Sequence, residues 1–460
     1  MSFMIKNISI QAVLMKIDLT QGSILQGTIR FALPICLGNI LQQLYGTVDT
    51  LIVGNFCGKI SLAAVGTSSQ PVEIVLCVFL GIGSGISILA AQCTGRNDTD
   101  TLKEVTETAV SFLYLSAIPF SIIGVFLGPW VLRLMQVPDE AFSAASAYVQ
   151  IVFLGTLGNL GYNLNAGILR GMGDSGSSLM FLAISCAVNI TLDMLFVGAF
   201  RMDVAGAALA TSVSMLVSWI LSTLYIKRKH CYLAFALLPH RFHREHMSRI
   251  LRIGIPLGMN NSLYSLGHVF MQAVVNSQGA TFMAACSVAG KVVGIANIAI
   301  VSLSSAATSF AGQNLGAGNI DRLKKGMRQI PFLSGAITCA AGLLVAIPLC
   351  EPILSLFNKD PGVLFYAIRY IHIVLPFTWA YAVFSGMVSY ANGLGEIRYP
   401  TIVNLLTLWA IRIPVGYLID FFWDGTYCMA SFSISFIFGM ISMSGFFLTK
   451  KWRSICSQIK

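Results

Sequence analysis

The sequence predicts an all-α polytopic membrane protein of twelve transmembrane helices in two six-helix lobes. Three observations carry this expectation. The 460 residues are 56% hydrophobic and 10% charged, against about 25% charged residues in an average soluble domain. Twelve apolar stretches, at roughly 31–54, 62–90, 107–128, 142–168, 179–199, 204–226, 253–276, 284–311, 331–354, 365–390, 400–421 and 427–449, each have the length of a membrane span. The basic residues also keep to alternate loops. With the amino terminus in the cytoplasm, 22 Lys and Arg fall on that side and 5 on the other, leaving Lys291 and Arg412 within spans. That asymmetry predicts both termini inside the cell, in a multi-pass protein of the plasma membrane. It also accounts for the net charge of +10 without nucleic acid.

The first span sets the pattern. Ala32 to Phe56 is apolar on most of its surface but contains Asp49. An ionised carboxylate in hydrocarbon costs several kcal/mol, so Asp49 should face a cavity or a partner. Asn39, Gln42, Gly46 and Asp49 are spaced to share one helical face, and Leu41, Leu44, Val48 and Leu51 fall mostly elsewhere. Pro34 removes a backbone donor, so the helix either bends there or begins there.

The halves repeat. Ala32-Leu33-Pro34 recurs as Gly254-Ile255-Pro256, Ala91–Gly95 as Gly312–Gly316, and Arg170–Asp174 as Asn392–Glu396, at offsets of 221 or 222 residues. Six spans per repeat make the halves parallel, related by an axis along the membrane normal. The expected divisions are a cytoplasmic segment 1–29, an amino-terminal lobe 30–226, a basic linker 227–252, a carboxy-terminal lobe 253–449 and a cytoplasmic tail 450–460. The linker's charges place it at the membrane surface, against anionic lipid.

Polar groups inside the spans are the candidate site. Asn189 and Asp193 stand at i and i+4 on the fifth span. Asp49 lies 19 residues beyond Arg30, about 28 Å at the helical rise. Asp193 lies 15 residues beyond Ser178, about 22 Å by the same rise. Both fall in the outer half of the bilayer. Two carboxylates sharing a partly dry site cannot both ionise cheaply, which suits a proton carrier. Tyr45, Tyr148, Asn159, Asn163, Asn165 and Thr211 are further polar candidates in this half. Each alone reads as interhelical hydrogen bonding, and together with the acids they could line a pocket. Glu73, after Pro71, reads as a solvated outer residue. The second half lacks matching acids, because Met271 and Val415 stand at the corresponding positions. Its seventh span instead offers Asn261, Tyr264, Ser265, His268 and Gln272, with His268 read as a neutral hydrogen-bonding residue. Lys291 is expected to reach a carbonyl or an acid. Arg412, in Arg-Ile-Pro-Val-Gly-Tyr, reads as a packing element.

Other chemistries find no support. Eleven cysteines are scattered without paired spacing, the six histidines show no ligand spacing, and no nucleophile–base set stands out. No metal, no cofactor and no enzymatic activity are expected. No nucleotide-hydrolysing motif is complete, so uphill transport would need an ion gradient. Met15 is an alternative start.

Several segments together resemble the multidrug and toxic compound extrusion (MATE) family. They are DLTQGSILQGTIRFALPICLGNILQQLYGTVDTLIVG, LRGMGDS, NITLDMLFVGAF and VAGAALATSVS in the first half, and AGQNLGAGNIDRLKKGMRQ and RIPVGYL in the second. The resemblance spans about residues 18 to 450. It implies a V-shaped pair of lobes and export of small, amphipathic and often cationic organic compounds, driven by protons or sodium, by a monomer. The family's acidic site maps onto Asp49 and Asp193, with Asn189 and Thr211 beside them. Some members carry an acid in the seventh span and another in the tenth. This chain has Tyr264 near the first position and no acid within the tenth span, which argues against a sodium site in that lobe. A sodium-coupled antiporter and a flippase for lipid-linked oligosaccharide are the alternatives.

Overall fold

The computed structural model describes residues 17–233, 235–238, 241–449 and Trp452. Met15 as a start, the Glu73 side chain and most of the 450–460 tail lie outside the described residues. The chain is helical throughout. In the first half the helices are α1 (Ile24–Phe56), α2 (Gly58–Arg96), α3 (Thr99–Leu134), α4 (Asp139–Leu154), α5 (Thr156–Gly171), α6 (Ser175–Asp193) and α7 (Asp203–Lys229). In the second half they are α8 (Arg244–Ser277), α9 (Ala280–Gly316), α10 (Ile320–Ala346), α11 (Cys350–Phe357), α12 (Pro361–Val374), α13 (Thr378–Gly393), α14 (Arg398–Leu405), α15 (Ile413–Phe422) and α16 (Ala430–Phe446). Ten helices, some continuous across a short break, are long and apolar enough to cross a membrane, and α4 with α5 makes an eleventh. The 34-residue, more polar α8 takes the twelfth place.

Several predicted spans are broken, each for a local reason. The stretch 142–168 is two helices bent by 47° at a break between α4 and α5. Gly155 sits at this break, where an added Cβ would lie 2.2 Å from Ser212 Oγ. Gly158 and Gly161 continue the close approach, the first to the Leu216 backbone and the second to the Trp219 ring. This small-residue stripe lets α5 lie against α7. Pro376 separates α12 from α13 within a single 3₁₀ turn, Leu375–Phe377. The stretch 331–354 divides between α10 and α11. Two π-helical segments, Met194–Ala199 and Leu406–Arg412, interrupt the fifth and eleventh spans.

The internal repeat is written into the backbone. Gly58 and Gly279 both take positive φ, at 86° and 92°, and Asn97 and Gly318 do so at 56° and 71°. Gly173 and Gly395 form a third pair, at 91° and 81°. All three lie at offsets of 221 or 222 residues. Two residues before each member of the last pair, an added Cβ on Gly171 would stand 2.6 Å from the Ser87 carbonyl, and one on Gly393 would stand 2.3 Å from the Thr308 carbonyl. Glycine is required at both. The motif thus turns one span tightly into the next beside a crossing helix.

Asp174 completes the turn in the first half. Its Oδ1 accepts from the Ser177 amide at 3.0 Å, capping α6, and its Oδ2 accepts from Lys229 at 2.9 Å and from the Tyr225 hydroxyl at 3.2 Å. Burial pushes this carboxyl up, but the Lys229 and Ser177 bonds outweigh it and hold the group below the ordinary carboxylate range.

The chain divides into two compact units. One contains Ile17 and residues 33–258, and the other contains 18–32 with 259–449 and Trp452. The division therefore falls twice inside helices, beside Pro34 in α1 and at Gly258 in α8, and not within the 227–252 linker. Within the first unit, the linker lies on α3: Ser111 donates to the Arg241 carbonyl, Tyr114 to the Leu237 carbonyl, and His246 sits 2.7 Å from Glu104. Within the second unit, Arg322 of α10 donates to the carbonyls of Gly22, Leu19 and Gln21, and Asn314 donates to that of Leu19. The approach to α1 is held there by its backbone.

Candidate functional site

Three buried carboxyl oxygens mark the candidate site in the first unit. Asp49 is 9% exposed, while Asp193 and Asn189 are fully buried. Asp49 Oδ1, both Asp193 oxygens and both polar atoms of the Asn189 amide make no hydrogen bond among the described residues. No Lys, Arg or His ion-pairs with either acid among the described residues. The two carboxyls are within electrostatic range of each other, and Asn189 lies beside Asp193. Tyr45 and Tyr148 are within range of both acids. The Tyr45 hydroxyl lies beside the Thr211 and Ser214 side chains without closing a well-formed hydrogen bond among the described residues. The fifth span passes into its π-helical segment one residue after Asp193. Single π turns of this kind recur at functional sites, because they re-aim the side chains that follow them.

A cavity of about 370 Å³ lies in the same unit. Its lining includes Asn39, Gln42, Tyr148, Asn159, Tyr162, Asn163 and Arg170. Neither acid lines it, and neither do Tyr45, Asn189 or Thr211. Tyr148 lines the cavity and is also in electrostatic range of both acids. Asn159 and Asn163 follow the break after α4, and the Asn163 amide donates to the Asn159 side chain at 3.0 Å.

Several expectations need correction. Asn165 does not face the cavity: it is fully buried and donates to the Ser222 and Thr223 hydroxyls at 2.8 and 2.9 Å, fastening α5 to α7. Asn261 is exposed and lines no described cavity, whereas its neighbour Asn260 accepts from Asn404. Arg170, expected in a loop, is the last charged residue of α5 and lines the amino-unit cavity. That cavity is therefore amide-rich with one arginine, and neither acid is among its lining residues. Among the described residues Lys291 meets neither a carbonyl nor an acid: its ammonium stands 5.6 Å from the Phe357 ring centroid.

The second unit holds a cavity of about 330 Å³ lined by Tyr264, His268, Gln272, Cys286, Asn297, Tyr381, Arg412 and others. The Tyr264 and His268 rings meet edge to face at 5.0 Å. Arg412, expected within a span as a packing element, is packed as expected but also lines this cavity, which the sequence did not indicate. It is 1% exposed and stands at the end of the second π-helical segment. Hydropathy put this charge within a span, but one charge in a long apolar stretch does not say which way it faces.

The family model MatE matches residues 34–195 and 256–418, one match in each half. The chain belongs to this family, the MATE transporters, and is a multi-pass membrane protein. Among curated relatives, it is 28% identical to the probable multidrug resistance protein YpnP of Bacillus subtilis, covering 95% of this chain and 98% of that one. It is 25% identical to the probable multidrug resistance protein NorM of Thermotoga maritima, covering 92% of each. The fold is similar to a solved outward-facing multidrug resistance MATE family transporter of the MOP superfamily, with a TM-score of 0.86 at 22% identity, covering 96% of this chain and 98% of that one.

Proposed function

We propose that the protein exports amphipathic, often cationic organic compounds in exchange for protons, with Asp49 and Asp193 as the coupling pair. The observation that carries this reading is the set of three buried carboxyl oxygens that, among the described residues, close no hydrogen bond of good geometry and no ion pair, with only the Asn189 amide beside them. A buried carboxylate in that state is expensive unless it takes up a proton or a positive ligand. Proton and cationic cargo then compete for the same oxygens, and competition for one site is sufficient for exchange. Tyr148 lines the cavity and is in electrostatic range of both carboxyls. Asn39, Gln42, Asn159 and Asn163 supply adaptable hydrogen bonds to varied cargo. The driving energy is adequate: one charge crossing 100 mV supplies about 2.3 kcal/mol, and a tenfold proton gradient adds about 1.4 kcal/mol.

The proposed setting is the plasma membrane, with both termini cytoplasmic and the chain acting as a monomer. Loss of the proton from the pair keeps the surrounding pocket wet, and protonation lowers the cost of drying it. The first span would then shift about Pro34, which lies inside α1 and does not start it.

Everted vesicles loaded by an imposed proton gradient test the assignment, with ethidium as the cationic probe. Asp49→Asn and Asp193→Asn should insert normally and lose gradient-driven uptake. Full uptake by both variants rejects the pair. Uptake that ignores the proton gradient and follows imposed sodium replaces protons with sodium. Arg170 in the amino-unit cavity favours a second reading, a flippase for lipid-linked oligosaccharide, because a guanidinium suits a phosphate. Ethidium uptake that is competed by such a lipid and lost in Arg170→Gln would support it.

A further inference from the structure

We propose that the carboxy-unit cavity binds an organic oxyanion, a carboxylate or phosphate on an aromatic body, with Arg412 as its receptor. The inference is independent of the coupling role given to Asp49 and Asp193. Arg412 is the largest fully buried side chain among the described residues. No carboxylate ion-pairs with it among the described residues. Its Nε donates to Ser435 Oγ at 3.0 Å and its Nη1 to the Tyr264 hydroxyl at 2.9 Å. Its Nη2 donates to no described group. The guanidinium carbon lies 4.6 Å from the Phe432 ring centroid, 5.2 Å from that of Phe436 and 5.6 Å from that of Tyr264.

A desolvated guanidinium without a counter-ion is costly, and aromatic faces offset only part of that cost. The fork is held at two corners and open at the third, facing a cavity whose lining contains no acid. Fixed and uncommitted donors of this kind are what recognition of carboxylate and phosphate requires. The same cavity supplies an apolar, aromatic wall from His268, Tyr381 and Phe432, and the Asn297 amide adds a neutral hydrogen-bonding group. The π-helical segment Leu406–Arg412 turns this side chain inward, just as the other π-helical segment begins beside Asp193. Each unit thus buries one kind of charge at the π turn of its fifth span, negative in the first unit and positive in the second.

The test uses the purified full-length protein and three naphthalene probes: 1-naphthoate, its neutral amide, and 1-naphthylmethylammonium. Calorimetry on the unmodified protein should show naphthoate binding at least about tenfold more tightly than the amide, the discrimination expected of one charge-assisted hydrogen bond. The ammonium probe locates cation binding and should not compete with naphthoate. Arg412→Gln should abolish the preference for naphthoate over the amide, and Arg412→Lys should keep part of it. Equal binding of naphthoate and amide by the unmodified protein overturns the proposal, as does a preference that survives in Arg412→Gln. Cys286 lines the same cavity. Its alkylation by N-ethylmaleimide, followed by peptide mass, decides the matter should the variants not fold. Naphthoate, and not the amide, should slow that alkylation. No protection by naphthoate in the unmodified protein also overturns the site, and leaves only an arginine enclosed by aromatic rings to join α8 to α16.

Discussion

At the scale of single residues, the acids were legible, while the arginines' places in cavity walls were not. Asp49 and Asp193 stood out because a carboxylate in an apolar stretch has few cheap environments. Asn189 followed from its i, i+4 spacing to Asp193. Which polar groups share a cavity did not follow. Asn165 and Asn163 differ by two positions on α5, so one faces α7 and the other faces the open space. Arg412 was hidden by the π-helical segment that ends on it: each inserted residue rotates the following faces by roughly 100°, so regular helical spacing no longer assigns them. Asp174 supports a stability prediction. Its folded-state carboxyl lies below its unfolded value, so its contribution is complete at neutral pH and is lost as pH falls below about 4. Asp174→Ala removes a helix cap and the carboxylate partner of Lys229, which is 40% exposed and keeps its bond to Tyr225, at an expected cost of about 1–2 kcal/mol. Thermal unfolding followed by size exclusion should show a fall in Tm at pH 7. The unmodified protein should lose stability between about pH 5 and pH 3 more steeply than Asp174→Asn does. Parallel pH profiles would remove Asp174 from this role.

At the scale of elements, apolar length fixed the number of spans, while their breaks depended on close contacts that a linear reading does not contain. The α2–α8 crossing is the clearest case. An added Cβ on Gly81 would stand 2.1 Å from the Gly258 amide nitrogen, and one on Gly85 would stand 3.1 Å from that of Gly254. Two small-xxx-small pairs face each other there, which permits backbone contact. Gly81→Ala should destabilise the protein by about 1–3 kcal/mol through overpacking, read as a lowered Tm, and an unchanged Tm would show that the crossing yields freely. The Arg322 bracket is a second element-scale device. Residues 18–22 carry turn-forming types and no strong apolar signal, so nothing in the linear sequence announced that three of their carbonyls accept from one arginine. Arg322→Gln should raise amide exchange at 19–22 by at least about tenfold, the loss expected when such bonds open. Unaltered exchange would mean that the remaining contacts hold the segment without it.

At the scale of the whole molecule, the two halves share a backbone plan and diverge in charge. Turn residues, crossing glycines and family matches recur at nearly the same offset, between 221 and 223 residues. The repeat was legible because turn chemistry is local and depends on residue type. The divergence was legible only in part: the missing acids of the second half and an arginine within its fifth span were visible, and that arginine's place in a cavity wall was not. Buried carboxyls in the first unit and a buried arginine in the second give each unit its own kind of buried charge.

The central claim is that cargo and protons compete for Asp49 and Asp193, and proton release tests it most directly. Ethidium is added to the purified protein in weakly buffered detergent solution, and the released protons are followed with a pH electrode. The unmodified protein should release roughly one proton per ethidium bound at a pH where the pair is partly protonated. Asp49→Asn and Asp193→Asn should each release far less at matched occupancy. Ethidium binding without proton release across about pH 5 to 8, or equal release from both variants, would contradict the account.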